Sequence, residues 1–170
     1  MHYVVPNMKL IAQDKDWSCW FASAQMLIAW RQNQTQSCEA AHPDPSQVKK
    51  WGKLYDKASG PEGAIQNSDI LEFAADLGLV AIRPMSPTPE AIQGWLARYG
   101  PLWVNGVNHI TVIAGIRDTV GDLEVLVFDP AMPNKKHGEW RSLRDWYILD
   151  RHSGRDTADT VETVFLHLPE

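Results

Sequence analysis

Apolar residues recur at helical spacing near the start of the chain. Trp20, Phe21, Ala24, Leu27 and Ile28 keep to one face, which predicts a helix over 18–32 with Ser18 as its N-cap. The polar stretch 34–46 holds Pro43 and Pro45 and reads as a loop. Val48, Trp51 and Tyr55 share one side of a second helix over 45–58, which Gly60, Pro61 and Gly63 break. Ile70, Leu71, Phe73, Ala74 and Leu77 mark a compact helix over 68–77, closed by Gly78. A short strand over 79–83 follows, and Pro84, Pro87 and Pro89 punctuate the next loop. Thr88 caps a further helix with Pro89 at its first position, and Gly100-Pro101 ends it.

The second half changes character. Residues 102–107, 110–116, 123–128 and 161–168 are β-branched and apolar, as strands are. Gly121-Asp122 makes a turn between two of them, 143–149 reads as a short helix, and 151–159 as a polar loop before the last strand. Helices first and a largely antiparallel sheet afterwards predict an α+β fold. The expectation is one domain over 1–170, an N-terminal helical half packed on a C-terminal antiparallel sheet, with a cleft between the halves to hold a site.

Composition narrows the function classes. The chain has 170 residues, 44% hydrophobic and 22% charged, enough to bury a core and fold. Its net charge of −5 argues against non-specific nucleic-acid or anionic-membrane binding. No apolar run approaches the roughly 20 residues of a membrane span, and the N-terminus lacks the apolar core of a secretory signal. The expectation is therefore a protein made in the cytoplasm and monomeric. With two cysteines there is no disulfide scaffold. The six histidines are scattered, with neither C-x-x-C nor H-E-x-x-H, so no metal and no cofactor is expected. Asn33-Gln34-Thr35 matches a glycosylation sequon, which reads as chance without a secretion signal. Trp20, Trp30, Trp51, Trp95, Trp103 and Trp146 lie in apolar patterns and read as core, whereas Trp17 and Trp140 fall in loops.

The candidate chemistry starts at Cys19, which opens the first helix after an acidic loop. A thiol there meets the positive end of the helix dipole and free N–H groups, an environment that favours thiolate. Gln13, six residues earlier, can offer a side-chain amide to an oxyanion beside the Cys19 N–H. His109 begins one strand in N-H-I-T-V-I-A-G, and Asp129 ends the next in V-L-V-F-D-P. A hairpin around Gly121 brings the two together, so that His109 can accept the thiol proton and Asp129 can hold the ring. Singly each residue has a plain reading: a buried cysteine, a hydrogen-bonded histidine, a turn-forming Asp-Pro. Trp17 and Trp20 flank the cysteine and Asn108 adjoins the histidine, which makes them candidate substrate contacts. Asn108 also suits a turn, and Cys38 reads as an incidental thiol.

These residues resemble papain-like cysteine peptidases. The likeness rests on Gln13, Cys19-Trp20 with Ala22, the lead-in Gly-Pro-Leu-Trp-Val from Gly100 to Val104, His109-Ile-Thr-Val-Ile-Ala-Gly, and Asp129-Pro130. It extends over about residues 8 to 150 and looks most like the compact bacterial branch with double-glycine leader peptidases and papain-like effector peptidases. The resemblance implies Cys19 as nucleophile, His109 as general base and then acid, Asp129 as orienter and Gln13 as oxyanion donor. Trp20 after the cysteine is closer to papain than to leader peptidases, and Asp129 stands where plant-type enzymes carry Asn. The implied activity is cleavage of a peptide or protein amide through a thioester. By analogy the protein is a bacterial effector or toxin, secreted into a target cell without a classical signal and matched by an immunity or inhibitor protein. The same triad also suits a peptidoglycan amidase, a deamidase or an acyltransferase. A non-catalytic binding module on the same scaffold is the alternative outside enzymes.

Overall fold

The computed structural model describes residues 1–35, 42–57, 60–83, 87–106, 109–144 and 164–170. Within them the helices are α1 (Cys19–Thr35), α2 (Lys49–Tyr55), α3 (Ile70–Asp76) and α4 (Pro89–Tyr99). The strands are β1 (His2–Val4), β2 (Val80–Ala81), β3 (Leu102–Asn105), β4 (Ile110–Thr119), β5 (Asp122–Phe128), β6 (Glu139–Ser142) and β7 (Phe165–His167). This is the α+β arrangement expected, the helices preceding β3–β7 in an antiparallel sheet ordered β2-β7-β3-β4-β5-β6, with β2 coming before α4 and β1, at the chain start, added beside β4.

Local chemistry sets several boundaries. The Thr88 hydroxyl accepts from the Ala91 N–H at 3.2 Å, Pro89 fills the first turn of α4, and Gly100 ends it at φ 85. The second helix is shorter than its pattern suggests. Pro45–Gln47 forms a 3-10 turn capped by Asp44, and extended Val48 separates it from α2. Ser18 stands before α1 as expected, but its hydroxyl turns back to the 14–15 segment. It accepts from the Lys15 N–H at 3.2 Å and lies within bonding distance of Lys15 O and Asp14 Oδ1.

Helix α1 is buried on every side through its first turns rather than along one stripe. Residues 18–24 and 26–28 are all buried. A helix apolar all round belongs inside a molecule, and α1 lies between the sheet and an aromatic cluster. Phe73 meets Trp20 at 5.3 Å, Trp51 at 5.1 Å and Trp103 at 6.2 Å. Trp51 donates to Asp76 at 2.9 Å, and Trp103 donates to the Trp20 carbonyl at 3.1 Å. The latter bond fastens the helix to β3. One apolar cluster runs through both halves, from Phe21 and Leu27 to Ile113 and Leu166.

Two strands had no signal in the hydrophobic pattern. β1 is three residues long, and β6, read as loop around Trp140, carries Glu139, Arg141 and Ser142. Pairing to longer neighbours holds both: Tyr3↔Ile116 on one side, Leu126↔Trp140 on the other. The expected helix over 143–149 and the loop over 151–159 lie largely or wholly outside the described residues, as do Trp146 and Cys38.

The β4–β5 hairpin turns at Gly121, φ 89, where the sequence placed it. It is not regular. Ile113 pairs with Val127 but Gly115 with Leu126, so Ala114 is one extra residue in β4. Such a bulge reverses the side-chain parity of everything beyond it.

Candidate active site

That bulge decides where the site residues point. Beyond it Val112 pairs with Phe128. Continuing the ladder sets Asp129 across from Thr111, on the face that Thr111 shares with His109. In the register before the bulge Asp129 would sit across from Val112, facing away from His109. The geometry agrees: His109 Nε2 lies 2.7 Å from Asp129 Oδ1.

The third residue arrives on α1. Ser23, one turn into the helix, donates to the Ile110 carbonyl at 3.4 Å. Together with the Trp103–Trp20 bond this sets the start of α1 beside the start of β4. Cys19 is buried, 8% exposed, and its side chain acts on the His109 ring closely enough to help raise its pKa. Because Asp129 occupies Nε2, Nδ1 is the nitrogen left for the thiol. The Cys19 N–H is the first of α1 and has no partner within the helix.

Charge follows from this order. Burial pulls the His109 imidazole down, but the hydrogen bonds to Asp129 and Cys19 and their negative charge outweigh it. The result is a shift from 6.5 up to about 10. Burial pushes Asp129 up, and its bonds to His109, Ala131 and Arg141 reverse that, holding it below 3.8. Asp129 is accordingly a buried carboxylate, 7% exposed, with both oxygens engaged. A thiol, an imidazole and a carboxylate so linked can form a thiolate–imidazolium pair, the reactive state for attack on a carbonyl.

Gln13 comes from the loop before α1. Its N–H donates to the Pro130 carbonyl at 2.9 Å, bridging the helical half to the residue after Asp129. Its side-chain Nε2 donates to Lys15 O at 2.9 Å, which leaves one amide hydrogen free, while Oε1 is buried without a partner. The loop is strapped to α2. Lys15 Nζ donates to Tyr55 O at 2.9 Å and lies 3.9 Å over its ring. A cavity of about 280 Å³ lies behind this loop, bordered by Gln13, Ala22, Gln25 and Tyr55 rather than by Cys19.

The candidate substrate contacts fare differently. Trp20 is fully buried, and its indole donates to Gly63 O at 3.2 Å. It belongs to the core, which corrects the expectation that it meets substrate. Trp17 is partly exposed and packs on Gly63, where a Cβ would come within 2.1 Å of its indole nitrogen. Asn108 lies outside the described residues. Sequence reasoning missed Arg141, which reaches Asp129 from β6; nothing in its polar surroundings set it apart. Among the described residues no group of three or more His, Cys, Asp or Glu could hold a metal ion, and no helix is long and apolar enough to cross a membrane.

Fold and site together define a papain-like cysteine peptidase. The chain belongs to the family described as papain-like cysteine protease AvrRpt2, whose match runs over residues 2–147. Among solved structures it is similar to the crystal structure of UfSP from C. elegans, with a TM-score of 0.61 and 16% identity. That similarity covers 100% of this chain and 35% of the other, and it is a likeness of fold. A comparison with curated proteins finds no match.

Proposed function

We propose that Cys19 is the nucleophile of this peptidase, His109 its base and acid, Asp129 the orienter and Gln13 an oxyanion donor. The observation that carries this reading is the 2.7 Å contact of His109 Nε2 with Asp129, at a ring whose pKa Cys19 also helps to raise. His109 takes the thiol proton. The thiolate sulfur bonds to the carbonyl carbon of the substrate, and the oxygen gathers charge beside the Cys19 N–H and the Gln13 amide. The C–N bond breaks, and the amine leaves with the proton from His109. Water, deprotonated by His109, then adds to the thioester, and the sulfur departs as the acid forms. Trp17 lines the cleft as a substrate contact. Residues 1–170 act as one domain, a reading supported by the continuous apolar cluster.

The wider role is that of a bacterial effector or toxin delivered into a target cell, with a cognate inhibitor in the producer. Membership in the family named for AvrRpt2 supports that reading. The test of the chemistry is the Cys19→Ala chain incubated with a protein mixture, fragments being read by mass spectrometry. The wild type should generate new termini and the variant none. Equal cleavage by both would remove Cys19 from the mechanism. Deamidated glutamine or opened cell-wall fragments without new protein termini would redirect the thioester to another acceptor.

A further inference from the structure

The hydrogen bonding of the site does not stop at Asp129. Its Oδ1 accepts from His109 Nε2 at 2.7 Å and from the Ala131 N–H at 3.0 Å. Its Oδ2 accepts from Arg141 Nη2 at 3.2 Å. Arg141 stands on β6, in register with Val125. Its Nε donates to Glu139 Oε2 at 3.2 Å, its Nη2 also meets Met132 Sδ at 3.2 Å, and Glu139 pairs with Lys135 at 2.8 Å. Charge therefore alternates outward from the ring: His109, Asp129, Arg141, Glu139, Lys135.

We propose that Arg141 is a positioning residue for the peptidase reaction. It holds the second oxygen of Asp129 so that the first stays aimed at His109 and the ring at Cys19. The proposal rests on the assignment of those three residues as orienter, base and nucleophile. A carboxylate anchored through one oxygen can swing about its side-chain torsions, whereas one held at both has a single orientation. The planar guanidinium reaches Asp129 and Glu139 together, a fork that an ammonium cannot reproduce. A 1 Å error at the reacting groups is enough to slow chemistry roughly a hundredfold.

Two effects of losing Arg141 oppose each other, and their sign separates positioning from simple charge. The groups facing it are Asp129, Glu139 and Met132, with Lys135 behind Glu139 and His109 behind Asp129. Removing a nearby positive charge favours the imidazolium and raises the pH at which His109 deprotonates. Loosening the Asp129 contact lowers that pH from about 10 toward 6.5.

The test is alkylation of Cys19 by iodoacetamide across pH in the full chain, read by peptide mass spectrometry, with melting temperature alongside. Arg141→Met should lower the pH of the His109 step. It should also slow labelling at pH 6 about tenfold for each unit by which the ion pair weakens. Arg141→Lys should recover only part of both. Glu139→Gln leaves the Asp129 contact in place and should give a smaller shift of the same sign, which keeps the test open if Arg141→Met does not fold. A wild-type profile in Arg141→Met, or a step displaced upward, overturns the proposal whatever the melting temperature. If His109→Ala labels like the wild type, the underlying assignment fails and the proposal with it.

Discussion

The two sides of the candidate site are built by different physics. On the helical side Cys19 stands at a helix start, held by a loop strapped to Tyr55 and by tryptophans packed around Phe73. On the sheet side His109, Asp129 and Arg141 come from separate strands or strand ends and meet only through register. The proposed nucleophile depends on what surrounds one helix terminus. The proposed base and orienter depend on a count of residues between strands, where an error of one turns a side chain to the other face.

That contrast gives its sharpest break at Ala114. Deleting it removes the bulge and should set Asp129 and His109 on opposite faces. The expected loss of turnover is on the order of 10⁴, as for a triad histidine that has lost its carboxylate, with far-UV circular dichroism showing the sheet retained. A folded and active deletion variant would contradict the register argument. On the helical side Gln13→Ala should lower turnover by about 10²–10³, the effect of one lost oxyanion donor. An unchanged rate would take Gln13 out of that role and leave the Cys19 N–H alone.

Smaller effects separate packing from chemistry. Gly63→Ala drives a Cβ to 2.1 Å from the Trp17 indole. It should cost about 1–3 kcal/mol of stability by overpacking, seen as a lower melting temperature. The pH dependence probes the sheet side. His109 is raised above 6.5, so its share of stability is complete below that pH and fades as pH rises toward about 10. Asp129 is held below 3.8, so its share is present above 3.8 and lost as pH falls further. The melting-temperature gap between wild type and Asp129→Asn should therefore be widest between pH 3.8 and 6.5, closing on either side. A gap independent of pH would mean that the ion pair contributes nothing to the fold.

The same division explains what the sequence made legible. Helix α1, the α4 cap at Thr88 and the Gly121 hairpin are local, and each carries its own signal in periodicity or turn residues. Cys19, His109 and Asp129 could be singled out as candidates because each sits at an element boundary within a short recognisable run, and Gln13 because it precedes Cys19 in such a run. For Trp20 the apolar pattern, which reads core, was right, and its adjacency to Cys19, which suggested a substrate contact, was misleading, because α1 is covered on every side. Arg141 and the Ala114 bulge were hidden for another reason. A four-residue polar strand has no alternation, and a bulge leaves no mark in composition. Both exist only as relations between strands.

The measurement that bears most directly on the account is the iodoacetamide labelling rate of Cys19 and Cys38 in one sample across pH 4 to 9, for wild type and His109→Ala. The account predicts that Cys19 labels readily at acid pH where Cys38 does not, and that His109→Ala removes the difference. Two thiols labelling alike in the wild type, or a Cys19 profile indifferent to His109, would contradict the Cys19–His109 pair on which the mechanism stands.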